Sequence, residues 1–260
     1  MARSFDNTND TITFTLAANQ TTLATISVGC WFYPDNTDHY KRLWQLGPAY
    51  PNLGCNTEWN NRTAPPNIFR FNARWTGNAN PYAMGEWALP STGAWHHSLT
   101  TYDWGSTANK PEHYLDGSIQ TRTNIDTPSG SPVNTSTAFY IGSDAATGSY
   151  FGGDVAEFAI WNRVLTAAEA AILGDGFSPL FIPNGLVFYT PLIGRTSPEI
   201  ELRYGSSGTV SGAVVADHPR IIYPTFFQDR RFTTAVAGGG GGNMEWPGFQ
   251  SRGFWSPRFT

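Results

Sequence analysis

The sequence predicts an all-β fold in which two antiparallel sheets pack face to face, with one short helix and an extended C-terminal arm. Apolar residues recur with period two in short runs, between segments rich in Asn, Gly and Pro. The chain contains 27 Gly, 18 Pro and 10 Trp, whereas only 14% of its residues are charged. Its 260 residues are enough for one large sandwich plus an appendage.

Charge and hydropathy exclude several classes of protein. The net charge of -4 provides no general basic field, so a nucleic acid is not expected as the main partner. No apolar run approaches the roughly 20 residues that a membrane-spanning helix needs. The opening residues 1–14 have no apolar signal core, which predicts synthesis in a cytoplasm. Cys30 and Cys55 are too few for a disulfide framework, and reduced thiols are favoured over a pair.

The first two strands are predicted from alternation. Ile12, Phe14 and Leu16 alternate with threonines, which indicates a strand with one buried face and one solvated face. The same period continues from Ile26 to Phe32, and this predicts that the intervening Cys30 is an inert core residue.

The middle of the chain is predicted to be richer in loops. Residues 34–94 contain many Pro, Asn and Gly around short apolar runs, which predicts long loops between brief strands. Trp95 to Tyr102 is the next clear strand. The Asp116-Gly117 dipeptide then predicts a hairpin, because both residues tolerate the positive φ angles of a type I′ turn.

A change of period marks the predicted helix. Phe139 to Gly142 and Val155 to Trp161 are β-branched or aromatic runs between turn residues, so each predicts a strand. Thr166 then stands three residues before Glu169, which is the spacing of a capping box. We expect the helix to end at Gly174.

Taken in order, these segments resemble the laminin-G-like, concanavalin A-like jelly-roll domains. The resemblance covers residues 4–173 through five segments: Ser4-Phe5-Asp6 with Asp10 and Ile12, residues 24–35, Trp95-His96-His97 with Tyr102-Asp103, Tyr114 to Gly117, and residues 139–173. It implies a two-sheet antiparallel jelly-roll sandwich over residues 1–176.

Residues 177–216 are predicted to be a strand-bearing extension. Gly185 to Tyr189 and the turn-rich Ser206 to Gly212 resemble the segment that normally precedes the first strand of that family, so the order of the segments is permuted. Three alternatives remain open: the extension completes the sandwich of its own chain, pairs with a neighbouring subunit, or is an unrelated short β segment.

Residues 217–260 are predicted to form a C-terminal arm that docks on a partner subunit. The competing interpretation is a disordered tail, which the five consecutive glycines at 238–242 favour. They contain five arginines and three acidic residues, a net charge of +2, which leaves -6 for the preceding residues. Aromatic and arginine side chains are the anchors that protein interfaces select. The assembly residues predicted in the arm are Phe226, Phe227, Arg230, Arg231, Phe232, Trp246, Phe249, Arg252, Phe254, Trp255, Arg258 and Phe259.

Two kinds of binding site are expected from the family resemblance. Related domains carry calcium at loop carboxylates, for which Asp103, Asp144 and Asp154 are the candidates, although structural roles in turns are the competing interpretation. Glycan binding would use exposed aromatic rings, because the chain has more indoles than a core of this size requires. The candidate platform consists of Trp31, Tyr33, Trp59, Trp75 and Trp104.

Catalysis is not expected. Glycosidases need two carboxylates that flank the scissile bond, whereas Asp154 and Glu157 are three apart and face opposite sides of an ideal strand. Likewise, His96 and His97 are neighbours in a strand, which predicts packed imidazoles. Neither a zinc-ligand spacing nor a phosphate-binding loop occurs, so no organic cofactor is implied.

The leading functional hypothesis is a non-enzymatic structural protein of a virion surface, such as a phage capsid decoration or tail-associated protein made in the host cytoplasm. In this hypothesis the arm anchors a lectin-like domain to other subunits, in a homo-oligomer or a larger complex. Part of the support is a resemblance of the segments after residue 176 to extensions of phage and bacterial laminin-G-like proteins. The alternative is a carbohydrate-binding or adhesion module of a bacterial surface system.

Overall fold

A computed structural model describes residues 1–17, 20, 22–36, 41–47, 54–60, 68–77, 81–134, 137–144 and 148–224. Seventeen strands lie in this described part of the chain. In order they are β1 (Ala2–Asp6), β2 (Thr11–Thr15), β3 (Thr25–Pro34), β4 (Lys41–Leu46), β5 (Cys55–Asn60), β6 (Ile68–Arg74), β7 (Tyr82–Ala88), β8 (His96–Asp103), β9 (Glu112–Leu115), β10 (Ser118–Ile119), β11 (Asn124–Asp126), β12 (Ala138–Ile141), β13 (Gly152–Trp161), β14 (Leu186–Thr190), β15 (Glu199–Ile200), β16 (Ser207–Ser211) and β17 (Val214–Ala216).

Within the described residues the strands form two sheets whose pairings are all antiparallel. One is an eight-stranded sheet in the order β10-β9-β8-β3-β13-β1-β17, with β14 pairing with β13 beside β1. The other is a nine-stranded sheet in the order β11-β7-β6-β5-β4-β12-β2-β16-β15. This two-sheet architecture confirms the predicted all-β sandwich.

The core lies between the sheets and follows from the period-two patterns. Ile12 and Phe14 of β2 are fully buried, and so are Ile26 and Phe32 of β3. The rings of Phe14 and Phe188 meet edge to face at 5.0 Å, so β14 contributes directly to this core. Cys30 and Cys55 are both buried as free thiols, and desolvation raises the pKa of each well above its ordinary value.

The predicted turn and helix signals are confirmed. Asp116 and Gly117 adopt φ angles of 50° and 77° between β9 and β10, as a type I′ turn requires. Helix α1 (Ala167–Gly174) begins at Thr166, whose side chain accepts from the Glu169 N–H, while the Glu169 carboxylate accepts from the Thr166 N–H. This helix covers the outer face of the eight-stranded sheet with a second apolar cluster around Trp161.

The prediction of brief strands in residues 34–94 is wrong in part. β4, β5, β6 and β7 contain six or seven residues each and pair in succession as a meander. The apolar runs at Arg42 to Leu46 and Ile68 to Phe71 correspond to β4 and β6, whereas polar residues at alternate positions concealed β5 and β7, since only one face of each is apolar.

The extension after residue 176 pairs with strands of its own chain. β14 pairs with β13, β16 pairs with β2, and β17 pairs with β1. A buried ion pair fixes the extension, because Arg3 Nε lies 2.6 Å from Glu199 Oε1 with both side chains 3% exposed. The predicted arm residues from Phe226 to Phe259 lie outside the described residues. No helix among the described residues is long and apolar enough to cross a membrane.

Candidate functional site

A polar groove crosses the outer face of the nine-stranded sheet over β4, β5, β6, β7 and β11. It encloses about 400 Å³. Phe69 and Phe71 of β6 point into the core, so Arg70 and Asn72 between and after them point outward into the groove. A β-bulge between Arg42 and Trp44 of β4 resets the alternation there, which leaves Trp44 in the core and Arg42 in the groove. We call this site the cross-strand groove.

The first row of the cross-strand groove is a ladder of alternating charge. Its members are direct cross-strand partners on successive strands, namely Arg42, Glu58, Arg70, Glu86 and Asn124. Arg70 donates from Nη1 to Glu58 Oε1 at 3.0 Å and from Nε to Glu86 Oε1 at 2.8 Å. Arg42 Nη1 pairs with the second oxygen of Glu58. Two guanidinium groups and two carboxylates therefore neutralise each other at the floor of the groove.

A second row runs beside the ladder and carries two amides, a methionine and a carboxylate. Asn56, Asn72, Met84 and Asp126 are successive cross-strand partners in this row. Asn72 Nδ2 donates to Asn56 Oδ1 at 3.0 Å. Tyr82 lines the same groove, and the Arg74 guanidinium lies 5.1 Å from the centre of its ring.

Three polar atoms in the groove are buried without a hydrogen-bond partner among the described protein atoms. They are Asn56 Nδ2, Glu86 Oε2 and Arg42 Nε. Asn56 and Glu86 are 0% and 1% exposed. Because most buried polar groups in proteins are hydrogen-bonded, three such atoms leave hydrogen-bonding capacity unused beneath one groove.

The buried ion pairs of the ladder are an inefficient way to stabilise the fold. Transferring a carboxylate and a guanidinium from water costs several kcal/mol per ion, and well-packed apolar residues often replace such pairs without loss. Glu58 and Glu86 are nevertheless 5% and 1% exposed on a face that needs no core. Core packing therefore does not account for their burial.

The structure does not bring the three predicted metal ligands together. Asp103 pairs with Thr25 at the start of β3, whereas Asp154 pairs with Tyr33 near its end, so they lie about 26 Å apart along the strand. Asp103 Oδ1 instead accepts from the Gly105 N–H at 2.7 Å, which closes a local turn. Asp144 is half-buried. The described residues hold no group of three metal-ligating side chains, and these aspartates do not fit a calcium site.

The predicted aromatic platform is divided between the core and one outer face. Trp59, Trp75 and Trp104 are 1%, 3% and 4% exposed, so their predicted role as an exposed glycan platform is wrong. The core accommodates these indoles because its aromatic rings interlock, as where Trp59 packs edge to face on Phe32. Trp31 and Tyr33 are half-buried on the outer face of the eight-stranded sheet, opposite to the cross-strand groove.

The prediction that Asp154 and Glu157 face opposite sides of their strand is also wrong. A bulge in β13 between Ala156 and Ala159 gives Glu157 a φ of 54° and turns it to the same outer side as Asp154. Glu157 is then fully engaged, since it accepts from the hydroxyls of Tyr189 at 2.7 Å and Tyr223 at 2.6 Å.

The histidine pair occupies structural positions. His96 hydrogen-bonds to Ser91 and Asp116 at 2.9 and 2.8 Å. His97 is buried against the Trp31 ring, and desolvation lowers its pKa to about 4, partly offset by Asp116.

Glu58, Arg70 and Glu86 were missed from the sequence. Each stands beside a core aromatic residue, Trp59, Phe69 or Trp87, so the alternation of charged and aromatic residues was the available signal. These three side chains meet only because β5, β6 and β7 pair in one particular register. The sequences of the connecting loops do not indicate that register.

Comparisons with known proteins agree with this architecture. No curated protein matches the sequence. A solved structure of a Bacteroides ovatus protein, described as a candidate carbohydrate-binding protein, matches with a TM-score of 0.63 at 17% identity over 85% of this chain. The chain spans 61% of the length of that protein. The heptameric SAP-like pentraxin of Limulus polyphemus matches with a TM-score of 0.55 at 12% identity, over 81% of this chain and 95% of the pentraxin.

These structural likenesses establish the fold alone, because the identities are low. The sequence itself provides the assignment. A family model described as the Concanavalin A-like lectin/glucanases superfamily, of the laminin G type, matches residues 6–171. This match covers the strands from β2 to β13 and most of α1. The chain therefore belongs to the concanavalin A-like lectin/glucanases superfamily.

Proposed function

We propose that this protein is a non-catalytic carbohydrate-binding protein that holds a glycan in the cross-strand groove. The observation that carries the proposal is the set of buried, unpartnered atoms on its floor, Asn56 Nδ2, Glu86 Oε2 and Arg42 Nε. Two of them are hydrogen-bond donors and one is an acceptor. A sugar hydroxyl both donates and accepts, so a polyhydroxylated chain can satisfy all three once small side-chain rotations turn them towards the groove.

The charge pattern of the groove favours a neutral glycan. Arg42 and Arg70 are paired with Glu58 and Glu86. No net positive charge remains in the ladder for a sulfate or a carboxylate. The groove crosses four inter-strand spacings, about 19 Å, so it accommodates several sugar units in a row.

The same geometry argues against hydrolysis. Glu58 and Glu86 face the groove from β5 and β7, and Arg70 on β6 stands between them. The third carboxylate that lines the groove, Asp126 of β11, lies in the second row. In a glycosidase the scissile bond lies between the two carboxyl groups, with one acting as acid and the other as nucleophile or base. Here a guanidinium occupies that position and holds one oxygen of each carboxylate.

Binding in the groove is proposed to need no calcium. The groove carboxylates Glu58 and Glu86 are already bound to guanidinium groups, and calcium requires six to eight oxygen ligands. The fold shared with the Bacteroides ovatus protein supports the choice of carbohydrate as ligand class, because that protein is described by its carbohydrate binding.

The test is a glycan array followed by titration calorimetry. We expect neutral oligosaccharides to bind equally with and without EDTA. Asn56→Ala removes one donor from the groove and should weaken binding by about tenfold or more. The matched control is Asn184→Ala, an exposed asparagine near helix α1, which should bind as the wild type does. No glycan binding in either condition, or equal affinities of the two variants, would overturn the proposal.

A virion surface is the second proposed setting for this lectin-like domain. Its support is the sequence of residues 225–260, where aromatic residues and four arginines provide the anchors typical of an assembly interface. In this proposal residues beyond Pro224 attach the protein to other subunits of a capsid or tail, and the sandwich displays its groove outward. The alternative is a carbohydrate-binding or adhesion module of a bacterial surface system.

A further inference from the structure

An aromatic and acidic surface lies on the side of the molecule opposite to the cross-strand groove. Trp31 and Tyr33 of β3 face outward from the eight-stranded sheet, and Asp154 of β13 is the direct cross-strand partner of Tyr33. Trp95 completes the surface, since its ring meets the Tyr33 ring at 5.9 Å. All four residues are half-buried. We call this surface the acidic aromatic face.

The negative charge near this face comes from Asp154 and the neighbouring Asp35 and Asp217. Burial raises the pKa of Asp154, a hydrogen bond from Ser4 lowers it, and the neighbouring carboxylates of Asp35 and Asp217 raise it further. Asp35 and Asp217 are both exposed. Three acidic groups beside aromatic rings are suited to a cation, which stacks on a ring and pairs with a carboxylate.

The chain itself contains a complementary segment. Residues 225–260 carry four arginines and two acidic residues, a net charge of +2, whereas the other residues carry 12 basic and 18 acidic groups, a net charge of -6. Arg230 and Arg231 are the first cations after Pro224. Arginine is the residue that combines stacking on aromatic rings with bidentate pairing to carboxylates.

The described part of the chain ends close to the acidic aromatic face. Tyr223 donates to Glu157 at 2.6 Å, and His218 Nε2 lies 3.3 Å from the same carboxylate. Glu157 is three residues from Asp154 on β13 and turns to the same side of the sheet, so residues 218–223 cross next to the face. Six extended residues span up to about 20 Å, which exceeds the roughly 10 Å from Glu157 to Asp154 along the strand.

We propose that Arg230 and Arg231 bind the acidic aromatic face of their own chain, with a guanidinium stacked on the Trp31, Tyr33 or Trp95 ring and paired with Asp154. Binding within one chain is favoured because a short connection gives a high effective concentration. This contact holds the start of residues 225–260 against the sandwich, and it leaves Arg252, Arg258 and the later aromatic residues as the anchors available to a partner. It is independent of glycan binding in the cross-strand groove.

Limited trypsin digestion of the full chain tests the contact, because trypsin cleaves after Arg230 and Arg231. We expect slow cleavage there in the wild-type chain and about tenfold faster cleavage in Asp154→Asn, which keeps an acceptor for Ser4 but loses the charge. Asp103→Asn, on β8 opposite the start of β3, is the matched control and should cleave at the wild-type rate. Equal rates in all three chains would overturn the proposal.

A second protease makes the result independent of the Asp154 variant. Arg230→Gln/Arg231→Gln should accelerate chymotrypsin cleavage after Phe232, whereas Arg252→Gln/Arg258→Gln should not. The expected protection is the same at every protein concentration. Protection that disappears on dilution would assign the contact to a second copy and overturn binding within one chain.

Discussion

At Arg70 one guanidinium binds carboxylates from the strands on both sides. The residue is 7% exposed, and its side chain holds Glu58 at 3.0 Å and Glu86 at 2.8 Å. This position fixes the floor of the cross-strand groove, because both carboxylates and the neighbouring Arg42 depend on it for their orientation. The residue therefore connects the stability of the sheet to the shape of the site.

Arg70→Met should lower the free energy of unfolding by about 3–5 kcal/mol, because it leaves two buried carboxylates without their shared partner. Urea denaturation followed by fluorescence measures the loss. The matched control is Glu58→Gln/Arg70→Met/Glu86→Gln. It also removes the two carboxylates that Arg70→Met leaves unpaired, so it should recover much of the lost unfolding free energy. Equal stability of Arg70→Met and the wild type would show that the ion pairs of Arg70 do not contribute to the free energy of unfolding.

At the scale of single elements, helix α1 is fixed at its first turn by a compact set of polar contacts. Glu169 binds the Thr166 N–H and, through both oxygens, the Arg163 guanidinium. The hydrogen bond from Arg163 is the main reason that the pKa of Glu169 falls to about 2 from 4.5. The ionised carboxylate therefore favours the folded state above about pH 4.5, and this contribution disappears as the pH falls towards 2.

Arg163→Met should accordingly destabilise the protein more at neutral pH than in acid. The difference in unfolding free energy between this variant and the wild type should shrink as the pH falls from about 4.5 to about 2. Thermal unfolding across this pH range measures the difference, with Glu169→Gln as a control that has no carboxyl group to titrate. A difference that stays constant with pH would contradict the assigned role of Glu169.

The elements also show which sequence patterns carry structural information. The Thr166 and Glu169 spacing predicted the helix start correctly, because capping is decided within four residues. The Asp116-Gly117 turn was predicted for the same reason. β5 and β7 were not predicted. Their outward faces line the groove and carry polar residues, which weaken the apolar signal that a strand gives in the sequence.

At the scale of the whole molecule, the extension is an integral part of the sandwich. Val187, Phe188 and Leu192 belong to the main core, and Trp161 Nε1 donates to the carbonyl of Ile182 at 2.8 Å. Removing residues after 176 exposes these apolar surfaces and leaves Arg3 without Glu199.

Two truncations should therefore behave differently. A chain that ends at Gly176 should not fold, whereas a chain that ends at Pro224 should keep the near-UV circular dichroism of the full chain. If the virion proposal holds, the second chain folds but is not incorporated into particles. A folded chain of residues 1–176 would contradict the integral role of the extension, and normal incorporation of the Pro224 truncation would contradict the proposed anchor.

The sequence by itself determined the all-β sandwich, its principal strands, the capped helix and the hairpin turn. Each of these depends on residues close together in the chain, where period, capping and turn chemistry act locally. Only the tertiary structure decided that Glu58, Arg70 and Glu86 converge in one groove, and that Trp59 and its neighbouring indoles are buried. The reason is physical: cross-strand register and the pairing of distant strands are set by the packing of the entire core, which no local pattern encodes.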